Sequence, residues 1–378
     1  MKISIESTPL LQNRHIPRAG IAQYVYQASS RMIINNPNDI FTLFANKFGG
    51  GEFSKGLLQS NVRKRVVKYI PGKVWNLSTR KNFLPPLETF MPQDQDVYWF
   101  TNFRTYATLR NRRRVTTIYD AAYMVYPEFI QTKNLSYLRD QVPRSLRIAD
   151  RIITISESAK TDLITRLDAD PNKIVVAPCG IDTDFMKPTK SKDALKKYGI
   201  KGKYLLFVGT IEPRKNLVNL IQAYDKLPAT YKEEYTLILA GGGGWNDGEI
   251  QAEIRKDRLV GNVQLTGYVE DVDLASLYTH ATAFLYPSFY EGFGLPILES
   301  LACGTAVLTA KNSSLEEVAG KAAYYVDEFS TESIKDGMQK LIDSERTRKD
   351  IVRLGRERVA SYPWSKTAKI IYETLSNE

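Results

Sequence analysis

The sequence predicts an α/β protein built from two doubly wound domains, and three observations lead there. The first is length: 378 residues exceed what one ordinary core organises and suit two domains of similar size. The second is a repeated alternation of short β-rich runs with helical patterns. The third is that these runs are apolar on both faces, as parallel strands covered by helices must be.

The N-terminal half carries such runs at 1–6, 97–100, 115–119, 151–156 and 173–177. After a polar stretch over 182–203 the pattern restarts at 204–208, 236–240, 263–266, 283–287 and 305–309. The joint falls near residue 185, which predicts an N-terminal domain over 1–184 and a C-terminal domain from 185 onward. In open parallel sheets ligands bind beyond the carboxyl ends of the strands, so chemistry is expected in the loops that follow them.

Composition narrows the class. Hydrophobic residues at 43% and charged residues at 25% match an average soluble globular protein without a disordered tract. Only two cysteines occur, Cys179 and Cys303, with no second ligand pair near either. A disulfide framework and a zinc site are therefore not expected, and a reducing cytoplasm fits. The start reads directly as a strand, and no apolar run approaches the roughly 20 residues that span a bilayer, so neither secretion nor spanning is expected. The net charge of +10 is one-sided: residues 1–186 hold 26 Lys and Arg against 16 Asp and Glu, and the remainder holds 26 against 26. An excess confined to one half suggests that this half faces something anionic.

Three loops stand out. The first reads Gly209-Thr210-Ile211-Glu212-Pro213-Arg214-Lys215-Asn216 and leads into a helix with Leu217, Leu220, Ile221 and Tyr224 at helical spacing. Asn216 is expected as its N-cap. Two adjacent cations beside a helix start suit a diphosphate, although a solvated basic turn reads the same way. The second runs from Pro287 to Glu299 and places Glu291 in a loop with Gly292 and Gly294. Pro296 predicts a helix start that puts Glu299 in the first turn. A loop carboxylate can accept from sugar hydroxyls, the first-turn carboxylate can hold a ribose, and amides near Gly294 and Leu295 can meet phosphate oxygens. An acidic residue there can equally serve only the helix dipole. In the third, Pro17-Arg18-Ala19-Gly20-Ile21, a glycine lets backbone approach a ligand at the start of a helix.

Taken together with Tyr119-Asp120, Ile155-Ser156-Glu157-Ser158 and the segment from Ile174 to Asp182, these pieces resemble glycosyltransferase family 4, a retaining family of GT-B fold. The resemblance covers nearly the whole chain. It implies two Rossmann-like domains facing each other across a cleft, an N-terminal acceptor-binding domain over 1–184 and a C-terminal nucleotide-sugar-binding domain over 185–362. The segment from Tyr362-Pro363-Trp364 resembles the family's closing helix, over 363–378, which crosses back to the N-terminal domain. By it Glu291 contacts the donor sugar, Glu299 the ribose, and Arg214 and Lys215 the diphosphate. Gly20 meets the donor phosphates from across the cleft, and Gly209, Gly292, Gly294 and Leu295 complete the donor site. It further implies transfer of a hexose to a hydroxyl of a glycan or lipid-linked acceptor with retention of configuration. The leaving phosphate then takes the acceptor proton, and no metal or other cofactor is needed, because fixed cations and helix starts neutralise the diphosphate. The form Glu212-Pro213-Arg214-Lys215-Asn216 resembles mannosyltransferases and makes GDP-mannose the first expectation for the donor.

The family often has His-Asp where this chain has Tyr119-Asp120, and the chain's only histidines are His15 and His280. Asp120 is then the candidate for orienting or deprotonating the acceptor hydroxyl, though it also suits a helix cap. His280 reads as a packing or capping residue. Asp271-Val272-Asp273 imitates a metal-binding Asp-x-Asp, but three other stretches match equally, and these two aspartates are expected at a helix start.

The basic half offers Arg63, Lys64, Arg65 and Lys68 among Val62, Val66, Val67 and Ile70, which reads as an amphipathic basic helix over 61–70, joined by Arg112, Arg113 and Arg114. That suits peripheral contact with the anionic inner face of a cell membrane. A nucleic-acid binder has charge and tyrosines in its favour but no recognition motif. A noncatalytic GT-B subunit would explain the missing histidine, against which the intact Glu291, Glu299, Arg214 and Lys215 stand. A nucleotide-sugar epimerase or hydrolase of similar fold would differ in its product.

Overall fold

Strands form where runs of Val, Ile, Leu, Phe and Tyr can be covered on both faces, and every strand pairing is parallel. The computed structural model describes residues 1–11, 20–75, 89–90, 94–108, 112–184, 186–245, 247–256, 259 and 261–377. The chain divides into two units, Met1–Gly180 with Trp364–Glu378, and Ile181–Pro363.

In the first unit the strands are β1 (Lys2–Glu6), β2 (Ile40–Asn46), β3 (Val62–Val67), β4 (Val97–Phe100), β5 (Arg113–Thr117), β6 (Arg151–Thr154) and β7 (Ile174–Val176). They lie in the order β3-β2-β1-β4-β5-β6-β7, so the winding reverses between β1 and β4. Ile3, Ile5, Phe41, Leu43, Trp99, Ile152 and Ile153 are fully buried and form the centre of the sheet. The helix Trp364–Ser376 belongs to this unit. Its Trp364 meets Tyr24 edge-on at 6.0 Å, and Tyr372 donates to Asp39 Oδ2 at 2.6 Å. Thr367 donates to the Pro178 carbonyl at 2.6 Å.

The second unit contains β8 (Lys203–Val208), β9 (Tyr235–Ala240), β10 (Val263–Gly267), β11 (Ala283–Tyr286), β12 (Val307–Ala310) and β13 (Tyr324–Val326), in the order β10-β9-β8-β11-β12-β13. Here the winding reverses between β8 and β11, which pair as Ala283 with Leu205 and Phe284 with Leu206. Such a reversal opens a crevice at the carboxyl ends of the two central strands. Leu205, Leu206, Leu237, Ile238, Phe284, Leu285 and Leu308 are fully buried around it.

The segment 61–70 departs from expectation. It is not an amphipathic helix but the edge strand β3, paired with β2 from Phe41 and Val62 to Asn46 and Val67. Three β-branched valines favour the extended form, and the Asn61 amide anchors the strand's start by donating to the Asn36 carbonyl at 3.2 Å. Arg63, Lys64 and Arg65 are exposed on that edge, where charge discourages pairing with another chain. The remaining basic triplet is partly engaged internally. Arg113 donates to the Thr374 carbonyl at 3.0 Å, and Arg114 pairs with Asp150 at 3.2 Å. β2 and β13 were not anticipated, and β5 closes at Thr117 rather than at Tyr119. Among the described residues no helix is long and apolar enough to cross a membrane.

Candidate active site

Because β8 and β11 are neighbours at the point of reversal, the loops that leave them, 209–216 and 287–294, are brought side by side. The Phe289 amide donates to the Arg214 carbonyl at 3.0 Å and fixes their relation. Arg214 and Lys215 lie on a single 3-10 turn, Pro213–Lys215, opened by a proline whose missing N–H costs nothing there. Both cations converge on Glu291. Arg214 Nη1 donates to Glu291 Oε2 at 2.6 Å, and Lys215 Nζ donates to Glu291 Oε1 at 2.6 Å. Arg214 also reaches the Tyr290 carbonyl at 2.8 Å and Glu212 at 2.7 Å, and Lys215 donates to the Tyr286 hydroxyl at 2.9 Å. Side-chain exposure is 8% for Glu291, 9% for Lys215 and 20% for Arg214, so the triad is shielded while its arginine keeps a face open.

Electrostatics follow from that burial. Burial alone would push the Glu291 carboxyl up, but Arg214 and then Lys215 outweigh it and bring it down to about 2. Burial also works against the charge of Arg214, yet Glu291 and Glu212 hold its pKa above the ordinary arginine value. For Lys215 burial and the neighbouring Arg214 win over Glu291, and its ammonium is pushed down. The cluster thus pairs two cations with two carboxylates, Glu212 and Glu291, and presents both cations at fixed positions.

Glu291 is itself held from behind. Its amide donates to Ser313 Oγ at 3.1 Å, and Ser314 Oγ donates to its carbonyl at 2.7 Å. Asn216 is not the side-chain N-cap that was expected. It sits in the left-handed region at φ 61°, makes no cap bond, and spends its amide on two carbonyls, Pro287 at 2.9 Å and Glu328 at 2.7 Å. Asn312 adds a bond to Glu328 Oε1 at 2.6 Å, so the loops after β8, β11 and β13 are laced together. Replacing Asn216 with alanine strands the buried Pro287 carbonyl, while Asn219 still reaches that of Glu328 at 3.3 Å, and should lower stability by about 1–3 kcal/mol, read from the urea midpoint at unchanged slope.

The helix after the second loop is Leu295–Ala302, with Gly294 before it at φ +93° and Pro296 in its first turn. Leu295 opens that turn, where amides lack an intrahelical partner. Glu299 lies in the second turn and not the first, because the helix begins at Leu295. Its buried carboxylate accepts from the Tyr278 hydroxyl at 3.1 Å. Gly209 leaves β8 at φ +153°, with its amide on the Ala240 carbonyl at 3.0 Å, and Gly292 lies between Glu291 and the helix.

In the first unit Gly20 is the first residue of the helix Gly20–Asn35, at φ +36° with open space around it. His15, Pro17, Arg18 and Ala19 lie outside the described residues. Asp120 Oδ1 accepts from the Ala122 amide at 3.0 Å, which places it at the entry to the short helix Ala122–Val125. Tyr119 is buried, donates to the Thr101 carbonyl at 2.8 Å and, through burial, titrates well above the ordinary tyrosine range. It therefore does not stand in for a histidine base. His280 ends the helix Asp271–His280, with Nε2 3.0 Å from the Ser191 carbonyl, and Asp271 and Asp273 open the same helix. Asp273 accepts from Lys197 at 2.7 Å and Tyr198 at 2.9 Å.

Glu212, Tyr286, Ser313 and Ser314 join the site without having been foreseen. Glu212 stands two places before Arg214, and Tyr286 closes β11 immediately before the loop, a strand-end position that could have flagged it.

A unit wound in this way, with a cationic loop after its first strand and a carboxylate loop after its fourth, joined to a second all-parallel unit, is the architecture of a GT-B glycosyltransferase. The description "Glycosyltransferase Family 4" matches residues 42–185, and "Glycosyl transferases group 1" matches residues 190–358. The chain belongs to glycosyltransferase family 4. It is 28% identical over 375 residues to the O-antigen chain mannosyltransferase B of Escherichia coli, covering 96% of both chains. It is 30% identical over 231 residues to the serotype-specific mannosyltransferase WbdA of Escherichia coli, which is 60% of this chain and 28% of that protein. Among solved structures, the sucrose-phosphate synthase of Thermosynechococcus elongatus superposes with a TM-score of 0.76 at 18% identity, covering 98% of this chain and 97% of that one. HepE of Anabaena in complex with UDP-glucose superposes with a TM-score of 0.74 at 18% identity, covering 100% of both chains. At such identities the superpositions establish the fold.

Proposed function

We propose that this glycosyltransferase moves a hexose, with mannose from GDP-mannose as first choice, from a nucleotide diphosphate to a hydroxyl of a glycan or lipid-linked acceptor, with retention and without a metal. The observation that carries the reading is the Arg214–Glu291–Lys215 triad at the crevice between β8 and β11. Two cations held in place by Glu291 and Glu212 suit a departing diphosphate, whose growing charge they meet without reorganising. Glu291 keeps lone pairs on both oxygens for a sugar hydroxyl, and Glu299 sits one turn into the helix whose start suits phosphate. The mannosyl choice is supported by the near-complete overlap with the O-antigen chain mannosyltransferase.

In this reading the leaving phosphate takes the proton of the acceptor hydroxyl as the new glycosidic bond forms on the face the diphosphate leaves. Asp120 then orients the acceptor. The exposed Arg63, Lys64 and Arg65 on β3 suit contact with an anionic membrane. Reduced co-sedimentation with anionic vesicles is expected when these three become glutamine, and equal co-sedimentation would remove that surface from the proposal.

The decisive experiment is a thermal-shift panel of GDP, UDP, ADP and their sugar conjugates with EDTA present, on the natural chain and Arg214→Ala. Selective stabilisation by guanine nucleotides, lost in the variant and accompanied by transfer activity in chelator, is the expected result. Stabilisation by uridine nucleotides alone would change the donor. A strict requirement for Mg²⁺ or Mn²⁺ would defeat the metal-free mechanism.

A further inference from the structure

The geometry points to a second anion site in the C-terminal unit, on the side of its sheet away from the donor loops, that binds a phosphate-bearing ligand through Arg353 and Arg356. A cavity of about 540 Å³ opens there, within the range of small-ligand pockets. Its floor is the turns 281–282 and 304–306, which lead into the amino ends of β11 and β12. Its wall is the helix Glu345–Ala360, which contributes Glu345, Arg348, Lys349, Val352, Arg353 and Arg356. The donor loops leave the opposite, carboxyl ends of the same sheet, so the two sites do not share residues.

The helix is drawn onto this floor by a close approach. Gly355 faces Leu301 so tightly that a Cβ would sit 2.7 Å from Leu301 Cδ2. This brings the flanking Arg353 and Arg356, one turn apart on the helix, to the mouth of the cavity. Both are exposed, and among the described residues neither makes a hydrogen bond or ion pair. The other cations of the wall are already committed. Lys349 pairs with Glu345 at 2.7 Å, and Arg348 donates to the Ile342 carbonyl at 2.8 Å.

The arginines are not there to cap the helices that end at the floor. The last carbonyls of Leu295–Ala302 accept from Cys303, Gly304 and Thr305 amides, and the Tyr278 carbonyl accepts from the Ala281 amide and the Thr305 hydroxyl. Two unengaged guanidinium forks beside a mainly polar cavity, with small apolar patches at Val352, Ala281 and Ala306 and hydroxyls at Thr282 and Thr305, match a small ligand with one phosphate and a polar body. That phosphate can be carried by a soluble metabolite or by a lipid headgroup.

The test uses the full chain in four forms: natural, Arg214→Ala to disable the donor site, the double substitution Arg353→Ala with Arg356→Ala, and all three together. Calorimetric titration with inorganic phosphate, at low and high salt, and co-sedimentation with vesicles of phosphatidylglycerol and phosphatidylcholine are compared. We expect phosphate to bind Arg214→Ala, more weakly at high salt, and the triple variant to lose at least about tenfold in affinity relative to it. Loss confined to the vesicles assigns the phosphate to a lipid headgroup, and loss with free phosphate to a soluble ligand. Both arginines are exposed, so an unchanged urea midpoint is expected to confirm an intact fold. Equal binding of phosphate and of vesicles by Arg214→Ala and by the triple variant overturns the site.

Discussion

Glu291→Gln is expected to destabilise the C-terminal unit by about 3–5 kcal/mol at neutral pH and to cut transfer by about 10²-fold. The substitution keeps the shape of the side chain and removes its charge, so Arg214 and Lys215 lose the carboxylate that both of them contact at 2.6 Å. Removing one partner from a buried ionic cluster costs far more than the cluster contributes over an apolar replacement, because the remaining charges stay desolvated. Glu212 still neutralises part of Arg214 at 2.7 Å, whereas among the described residues Lys215 keeps the Tyr286 hydroxyl at 2.9 Å as its hydrogen-bond partner and feels Glu212 only through space. With its alignment lost, the cation pair no longer meets the diphosphate in register.

The same residue sets a pH dependence of definite sign. Its folded-state pKa, about 2, is below the 4.5 of the unfolded chain, so its contribution is complete above about pH 4.5 and is lost as pH falls toward 2. Urea midpoints of the natural and Gln chains should differ by a constant amount from pH 5 to 7 and converge below pH 4. Glu332 provides the control. Its carboxyl is also brought down to about 2, through hydrogen bonds from Lys226 and Lys335, but it is fully solvent-exposed and its ion pairs are screened. Glu332→Gln should leave activity unchanged. A Glu291→Gln chain as stable and active as Glu332→Gln would remove the triad from the mechanism.

What could be read ahead of the structure was whatever a local pattern determines. Strands such as β4 and β8 announce themselves because a sheet buried on both faces demands a continuous apolar run, and Val97–Phe100 and Lys203–Val208 supply one. β3 did not, because an edge strand buries only part of itself, and Arg63, Lys64 and Arg65 between valines carry the composition of a basic helix face. The short β13 has only Tyr324–Val326 to declare itself. At the site, Arg214, Lys215, Glu291 and Glu299 were visible as residue types suited to phosphate and sugar. Their mutual geometry was not, since the contact of Arg214 with Glu291 spans 77 residues and depends on β8 and β11 being neighbours. Asn216 shows the limit most clearly. Its type and place before a helix suggest a cap, yet the backbone enters the left-handed region and the amide serves two distant carbonyls.

Gly241→Ala is expected to cut transfer as far as Glu291→Gln does, although its nearest obstruction is the backbone of Gly209. The loop after β9 runs backbone against backbone along the cationic loop. Ile211 donates to the Gly242 carbonyl at 3.0 Å, and Gly244 donates back to the Ile211 carbonyl at 3.0 Å. A Cβ on Gly241 would stand 1.8 Å from the Gly209 carbonyl oxygen, and one on Gly244 2.6 Å from that of Ile211. The obstructing atoms are main chain and cannot rotate aside, so the whole loop that carries Arg214 and Lys215 must move away from Glu291. Overpacking of this kind costs about 1–3 kcal/mol or more, and a shift near 1 Å in a phosphate-aligning loop costs about 10²-fold in rate. Gly242 supplies the comparison, since a Cβ there meets nothing within 4 Å, and Gly242→Ala should stay within about 0.5 kcal/mol of the natural chain with activity retained. The two variants add the same methyl group to adjacent residues, so a difference in stability and in donor KM isolates the contact with Gly209. If they behave alike, the cationic loop is not held in place by the glycine run, and the alignment of Arg214 and Lys215 rests on the contacts with Glu291, Asn216 and the Phe289 amide.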